Sequence, residues 1–198
     1  MSGRQGIIVG ISGASGTAIG VRIVELLADN PHYAVHLVVS AAAERTLGEE
    51  VGSEALARLR ALAFRDHSHS DIGAAIASGS YPVAGMIVAP CSIRTLSAIA
   101  WGQLDNLLTR AADVQLKERR RLVLLVRESP LHLGHLRSMV QATEIGAIIA
   151  PPMPAFYLKP QSLAEVIDQI AARAINLLDL TKLRVSAKIW SGPGSDGA

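Results

Sequence analysis

Cysteine is nearly absent from this chain. A single thiol, Cys91, serves 198 residues, which excludes an intramolecular disulfide framework and fits a reducing compartment. Long apolar runs are also missing. The longest, "GMIVAP", "RLVLLVR" and "IGAIIAPPMP", fall well short of the ~20 residues that cross a bilayer. The opening "MSGRQGIIVGISG" carries too short an apolar stretch for a secretory signal. A cytoplasmic protein with no membrane partner is expected. Aromatic residues make up only 4%, leaving little on which bases could stack. The net charge of +2 is too small to call for a polyanion, and the run "KERRR" (117–121) reads as cations favouring a helix C-terminus. Nucleic acid is therefore not an expected partner. Charge itself is scarce, 18% against about 25% in ordinary domains. A surface so poorly charged is expected to be partly covered by further copies of the chain, as a homo-oligomer.

Apolar β-branched runs alternate with longer amphipathic stretches. The runs at 6–11, 34–40, 85–91, 122–128 and 147–152 read as strands. The segments 16–30, 41–62, 71–80, 95–103, 107–120, 132–146 and 162–180 read as helices, and "RDHSHS" (65–70) as a polar loop. Strands that are apolar throughout are buried on both faces. The alternation predicts an α/β fold, a flavodoxin-like or Rossmann-like three-layer sandwich with a mostly parallel sheet. One domain over residues 1–180 is expected, with 181–198 as a C-terminal arm or tail. Ligands of such sheets bind beyond the carboxyl ends of the strands.

The first of those ends reads "GISGASGTAIGVR" (10–22). Gly10, Gly13 and Gly16 are spaced G-x-x-G-x-x-G, which is neither a dinucleotide fingerprint nor a nucleotide-triphosphate loop. The next strand ends in Ser40 instead of the acidic residue that would hold an adenosine ribose. A tight turn packing helix on strand is one account. Ser12 and Ser15 favour another, an anion held at a helix N-terminus. A second strand ends in "APCSIRT", offering Ser92 and Thr95 at a helix start, while Cys91 reads as a small buried hydrophobe. A third ends in "VRESP", where Arg127 and Glu128, with Lys117 and Arg110 upstream, are expected to form one charged cluster able to grip phosphate. The proline-stiffened "PPMPAFYLKPQS" presents Tyr157, and Arg173 lies on the closing helix. His67 and His69, and His132 and His135, lack carboxylate or thiolate company at metal spacing. They read as a solvated loop and a helix face, and no metal is expected.

Taken together, "GISGASG", "SGS", "APCSIRTLSAIA", "LLTRAADVQLKERR", "VRESPLHLGHLR" and "PPMPAFYLKPQS" resemble UbiX-type flavin prenyltransferases from end to end. The resemblance implies a flavodoxin-like dodecamer that joins the dimethylallyl group of dimethylallyl monophosphate to N5 and then C6 of reduced FMN, without a metal. Phosphate would be released, and the prenylated FMN would serve a UbiD-type decarboxylase. It further implies that Gly13, Ala14, Ser15, Ser40, Ser92, Ile93, Arg94, Thr95 and Arg127 contact FMN. Tyr157 and Arg173 would bind the prenyl phosphate, with Lys117, Arg110 and Glu128 around it and Glu50 in the active site. Ser15, Glu50, Lys117 and Glu128 are the implied catalytic group, with Ser15 between cofactor and substrate. The alternatives are an FMN-dependent decarboxylase of the phosphopantothenoylcysteine type, whose "PASANT"-like segment is replaced here by "APCSIRT", direct decarboxylation of an aromatic acid, and a non-catalytic flavin carrier.

Overall fold

A computed structural model of the chain describes residues 3–181 and Val185. Six strands form one sheet: β1 (Gln5–Ile11), β2 (Tyr33–Val39), β3 (Arg65–His67), β4 (Val83–Cys91), β5 (Arg121–Val126) and β6 (Ile148–Ile149). Seven helices connect and cover them: α1 (Thr17–Ala28), α2 (Ala41–Glu50), α3 (Ala55–Leu62), α4 (Ile93–Ala100), α5 (Leu107–Lys117), α6 (Leu133–Glu144) and α7 (Leu163–Asn176). The strand order is β3-β2-β1-β4-β5-β6, and every pairing is parallel. With the short β3 counted, this is the Rossmann order. Without it, the remaining five strands follow the flavodoxin order. In both, the winding reverses between β1 and β4, and the crevice above those two strands is the place for a ligand.

Period-2 alternation makes two cores out of one sheet. Ile7, Val9 and Ile11, with Val35, Leu37 and Val39, face the side where Ile23 and Leu27 of α1 and Ala171 and Ile175 of α7 pack. Ile8, Val38, Met86 and Val88, with Leu122 and Leu124, face Leu96 of α4 and Leu108 and Ala111 of α5. Both faces of the central strands are covered, hence their lack of polar alternation. One contact sets how closely α1 can approach. A Cβ built on Gly20 would lie 2.2 Å from the carbonyl oxygen of Ala89 on β4, so the helix rests on strand backbone at that point.

Some elements differ from expectation. The helix expected over 41–62 is two helices, α2 and α3, and the one expected over 71–80 is only a 3-10 turn at Ala75–Ala77. β3 was hidden within "RDHSHS". It is an edge strand, paired only with β2, so Arg65 and Asp66 stay exposed and give it the composition of a loop. β4 begins two residues before the expected run, at Val83, and has a register shift between Val88 and Cys91. Of the expected tail, only Thr181 and Val185 fall among the described residues; Trp190 lies outside them.

Because the atom opposing Gly20 is backbone, Gly20→Ala must push α1 away from β4. A cost of about 1–3 kcal/mol is expected from such overpacking, read as a lower urea midpoint with an unchanged slope. An unaltered midpoint would show that the two elements are not so closely seated.

Candidate functional site

Four adjacent strands, β2, β1, β4 and β5, deliver their exits to one edge of the sheet, and hydrogen bonds sew those exits together. The Ser40 amide donates to the Ile11 carbonyl at 3.0 Å. The buried Ser12 hydroxyl donates to the Pro90 carbonyl at 2.9 Å and accepts from the Ser92 amide at 2.8 Å. The Arg127 amide donates to the Cys91 carbonyl at 3.0 Å. Ser12 is therefore a structural staple and is not available to a ligand. The result is a continuous ledge running through Ser40, Gly13–Gly16, Ser92–Thr95 and Arg127.

The glycine loop makes its turn with Gly16 in the left-handed region, φ 98°. It is seated so closely on α2 that a Cβ at Gly13 would meet the Ala42 methyl at 2.4 Å. The α1 N-terminus does hold an anion, but an internal one. The Glu50 carboxylate accepts from the Gly16 amide at 2.9 Å, the Thr17 amide at 2.9 Å and the Thr17 hydroxyl at 2.8 Å. Burial acts to raise the Glu50 pKa, but hydrogen bonds from Ser15, Thr17 and Gly16 outweigh it and leave the carboxyl below its ordinary value. This corrects the expectation that those amides hold a phosphate. Glu50 is thus brought to the glycine loop, and Ser15 is tied to it.

The next helix start has no such carboxylate. Ser92 caps α4, its hydroxyl accepting from the Thr95 amide at 3.3 Å and donating to the Thr95 hydroxyl at 3.1 Å. The amides of Ile93 and Arg94 are left without intrahelical acceptors, as at any helix start. The Arg94 guanidinium is turned to Asp105 at 2.8 Å, so Arg94 offers the ledge its backbone only. Ser40 caps α2 in the same manner, accepting from the Ala43 amide at 3.2 Å.

Arg127 and Glu128 leave β5 exposed and form no ion pair with each other. Glu128 accepts from the Ser129 amide at 3.0 Å. Tyr157 and Arg173 are brought together, lining one cavity of about 170 Å³ with Leu125, Ala150, Met153 and Gln169. Leu125 is the last residue but one of β5, two before Arg127, so that cavity adjoins the β5 exit. Gln169 was not singled out from sequence, although its i, i+4 spacing to Arg173 on a helix was a usable signal.

Lys117 is not in this cluster. It ends α5 at the opposite edge of the sheet, where its ammonium pairs with Glu118 and where β5 begins in register with Gly85. From Arg121 to Arg127 the strand rises about 20 Å. Arg110 pairs with Asp113 at 3.0 Å and likewise does not meet Arg127. Lys117 is thus separated from Arg127 and Glu128, because a helix preceding a parallel strand runs back to the sheet's other edge, whereas Arg110, near the start of α5, is held by Asp113. The basic run is similarly committed: Arg120 donates to the carbonyls of Gly79 and Tyr81, and Arg121 to the Leu177 carbonyl and to Asp179. His67, expected in a solvated loop, is buried on β3. His132 caps α6 by accepting from the Gly134 amide at 3.0 Å. Burial drives the Cys91 pKa upward, consistent with a packed, inert thiol.

A strand-exit ledge with helix starts that hold no internal carboxylate, an arginine without an ion-pair partner and a small lined cavity defines a mononucleotide-type site on an α/β sheet. The chain belongs to the Flavoprotein family, whose pattern matches residues 1–185, and within it to the UbiX flavin prenyltransferases. It is 56% identical over 174 residues, 88% of this chain and 92% of the relative, to the flavin prenyltransferase UbiX of Salmonella typhimurium. Among solved structures it resembles AnUbiX in complex with FMN and dimethylallyl pyrophosphate, at 42% identity and a TM-score of 0.88, covering 96% of this chain and 98% of that one. It also resembles a dodecameric FMN-dependent UbiX-like decarboxylase from Escherichia coli O157:H7, at 39% identity and a TM-score of 0.88, covering 95% and 100%.

Glu50→Gln keeps the shape of the clamp and removes its charge. A loss of about 1 kcal/mol is expected, the scale of a carboxylate at a helix N-terminus. Since the folded carboxyl is depressed, this stabilisation is full above the unfolded carboxyl value and fades as pH falls through the folded one. Melting temperatures of the two proteins should therefore converge on acidification. A constant gap from pH 7 to pH 3 would deny Glu50 the role of charged clamp.

Proposed function

We propose that this chain transfers the dimethylallyl group of dimethylallyl monophosphate to N5 and C6 of reduced FMN, releasing phosphate and supplying prenylated FMN to a UbiD-type decarboxylase. The observation that carries the reading is the ledge itself. Its α4 helix start, at Ser92–Thr95, holds no carboxylate and lies beside Arg127, while Tyr157 and Arg173 line the adjoining cavity. Ser40, Gly13–Ser15, Ser92–Thr95 and Arg127 would hold FMN, whose reduced ring supplies the nucleophile. Tyr157 and Arg173 would hold the prenyl phosphate. Departure of an allylic phosphate requires stabilisation of the leaving charge, and fixed cations supply it. Holding donor and acceptor side by side contributes much of the remaining acceleration. Glu128, exposed at the β5 exit, would exchange a proton with bound substrate.

Lys117 can join this site only from another copy, since its own Arg127 is at the far edge of the sheet. The same reading accounts for the apolar surface: Trp101, Leu133, Val140, Met153 and Phe156 are each more than half exposed. We infer a homo-oligomer, a dodecamer by similarity to the Escherichia coli O157:H7 structure, in which one copy's α5 end meets a neighbour's ledge. No described helix is long and apolar enough to cross a membrane, and the cytoplasmic assignment is part of this proposal.

Anaerobic incubation with reduced FMN and dimethylallyl monophosphate, followed by mass spectrometry of the released flavin, tests the activity. A gain of one five-carbon unit supports it; unmodified flavin from protein shown to bind FMN would favour a carrier or a decarboxylase. A parallel incubation with the pyrophosphate, the form held by AnUbiX, decides between the two donors. Lys117→Ala and Arg127→Ala are each expected to lose at least tenfold in turnover. If Lys117 acts across an interface, co-assembled oligomers of the two variants should recover activity. Inactive mixed oligomers would return Lys117 to a structural role.

A further inference from the structure

A buried polar chain lies within the sheet face that packs on α4 and α5. His36 stands in the middle of β2 and is almost fully buried, as is His67 at the end of β3. His36 Nδ1 lies 3.0 Å from His67 Nε2, and His36 Nε2 lies 3.3 Å from the Tyr81 hydroxyl. The imidazole of His36 is boxed edge-on by Phe64 and Tyr81, at centroid distances of 5.6 and 5.4 Å. At one end, Tyr81 belongs to a segment whose carbonyls at Gly79 and Tyr81 are held by Arg120. A Cβ at Gly79 would lie 2.5 Å from the Lys117 Nζ, so this segment abuts Lys117. At the other end, His67 lines a cavity of about 380 Å³ together with Arg60, Asp66, Ser68, His69 and Ser70.

We propose that Tyr81, His36 and His67 form a proton relay joining the segment beside Lys117 to the cavity beyond β2 and β3. A neutral imidazole carries one N–H and one bare nitrogen, so each link holds a single hydrogen and the chain has two polarities. At rest, Tyr81 donates to His36 Nε2, His36 donates from Nδ1 to His67 Nε2, and the His67 Nδ1–H faces the cavity. A proton arriving on the Tyr81 oxygen sends the original hydroxyl hydrogen to His36 Nε2. The His36 Nδ1 hydrogen passes in turn to His67 Nε2, leaving His67 an imidazolium. Loss of its Nδ1 proton to the cavity completes the transfer of one proton, and only O–H and N–H bonds have changed. The chain is left reversed, with the Tyr81 hydrogen turned away from His36.

The charge comes to rest on His67 for an electrostatic reason. Burial lowers both imidazoles, and His36, which also faces His67 and Arg65, is brought to about 4. His67 is lowered by burial and by Arg65, but Asp66 and Asp71 act to favour its charged form. The use of the relay in catalysis rests on the proposed function, in which the Lys117 face of one copy meets the ledge of another. Tyr81 would then exchange protons at that interface.

The test uses the ligand-free protein labelled with 15N-histidine. As pH falls through the protonation of His67, His36 is expected to change from the Nδ1–H to the Nε2–H tautomer with the same midpoint. Tyr81→Phe removes the link to His36 Nε2 from both polarities of the chain, so the coupled tautomer change should persist with its midpoint little moved while the route from the Tyr81 end is closed. A His36 tautomer that stays constant while His67 titrates would overturn the relay, and the wild-type protein alone decides this if the variant fails to fold. Prenyl transfer by Tyr81→Phe is measured separately, and the relay predicts a diminished solvent deuterium isotope effect on turnover. Wild-type protein that does not prenylate FMN would refute the proposed function while leaving the tautomer result to stand or fall by itself.

Discussion

The hydroxyl of Ser12, 1% exposed, bridges the Pro90 carbonyl and the Ser92 amide and so locks the exit of β1 to that of β4. These are the two strands between which the winding reverses, where a doubly wound sheet would otherwise gape. With that gap closed by a side chain, the glycine loop and the α4 start lie on one surface. The neighbouring exits are aligned on both sides by the Ser40 to Ile11 and Arg127 to Cys91 bonds. A ledge four strands wide has been built almost entirely from backbone, and its geometry depends little on surface side chains.

Electrostatics then divides the ledge. Of the three helix starts along it, those of α1, α2 and α4, an internal carboxylate neutralises that of α1. Glu50 reaches back from the end of α2 to the amides of Gly16 and Thr17, making the α1 start a structural joint between two helices. The α4 start keeps its first-turn amides uncommitted. The same economy holds among the cations. Arg22, Arg60, Arg94, Arg110 and Arg121 are all paired with carboxylates. Among the described residues, Arg127 and Arg173 have no ion-pair partner. Both stand at the ledge and its adjoining cavity, where a phosphate ester would be bound.

Much of this was legible in the chain. Strands apolar throughout announced a sheet covered on both sides, and the exits of β1, β2 and β4 carried the small or hydroxyl residues found on the ledge. Ser40, Ser92 and the Gly13–Gly16 turn were readable because backbone geometry at a strand exit restricts what can stand there. Glu50 came from family likeness; nothing local marks it, since its partners are 33 and 34 residues away in the chain. β3 was hidden because an edge strand need not be apolar. His67 was misjudged for the same reason: the segment around it is solvated, and only pairing with β2 brings its ring under the sheet. Lys117 and Arg127 are close in sequence but not in space, because the nine residues between them contain a full strand.

That last separation bears on why the chain is so poorly charged. A site that places phosphate ligands at the carboxyl edge while keeping a lysine at the amino edge is incomplete within one copy. Completing it requires apposition of opposite edges, and such a head-to-tail contact is heterologous, so it must close into a ring or propagate. Repeated closure covers large areas, and the surfaces to be covered are those bearing Trp101, Leu133, Val140, Met153 and Phe156. Under the proposed function, low charge content, exposed apolar residues and the divided cation cluster would have a common cause: the catalytic unit would be the contact between copies, with one chain supplying a part of it at each edge.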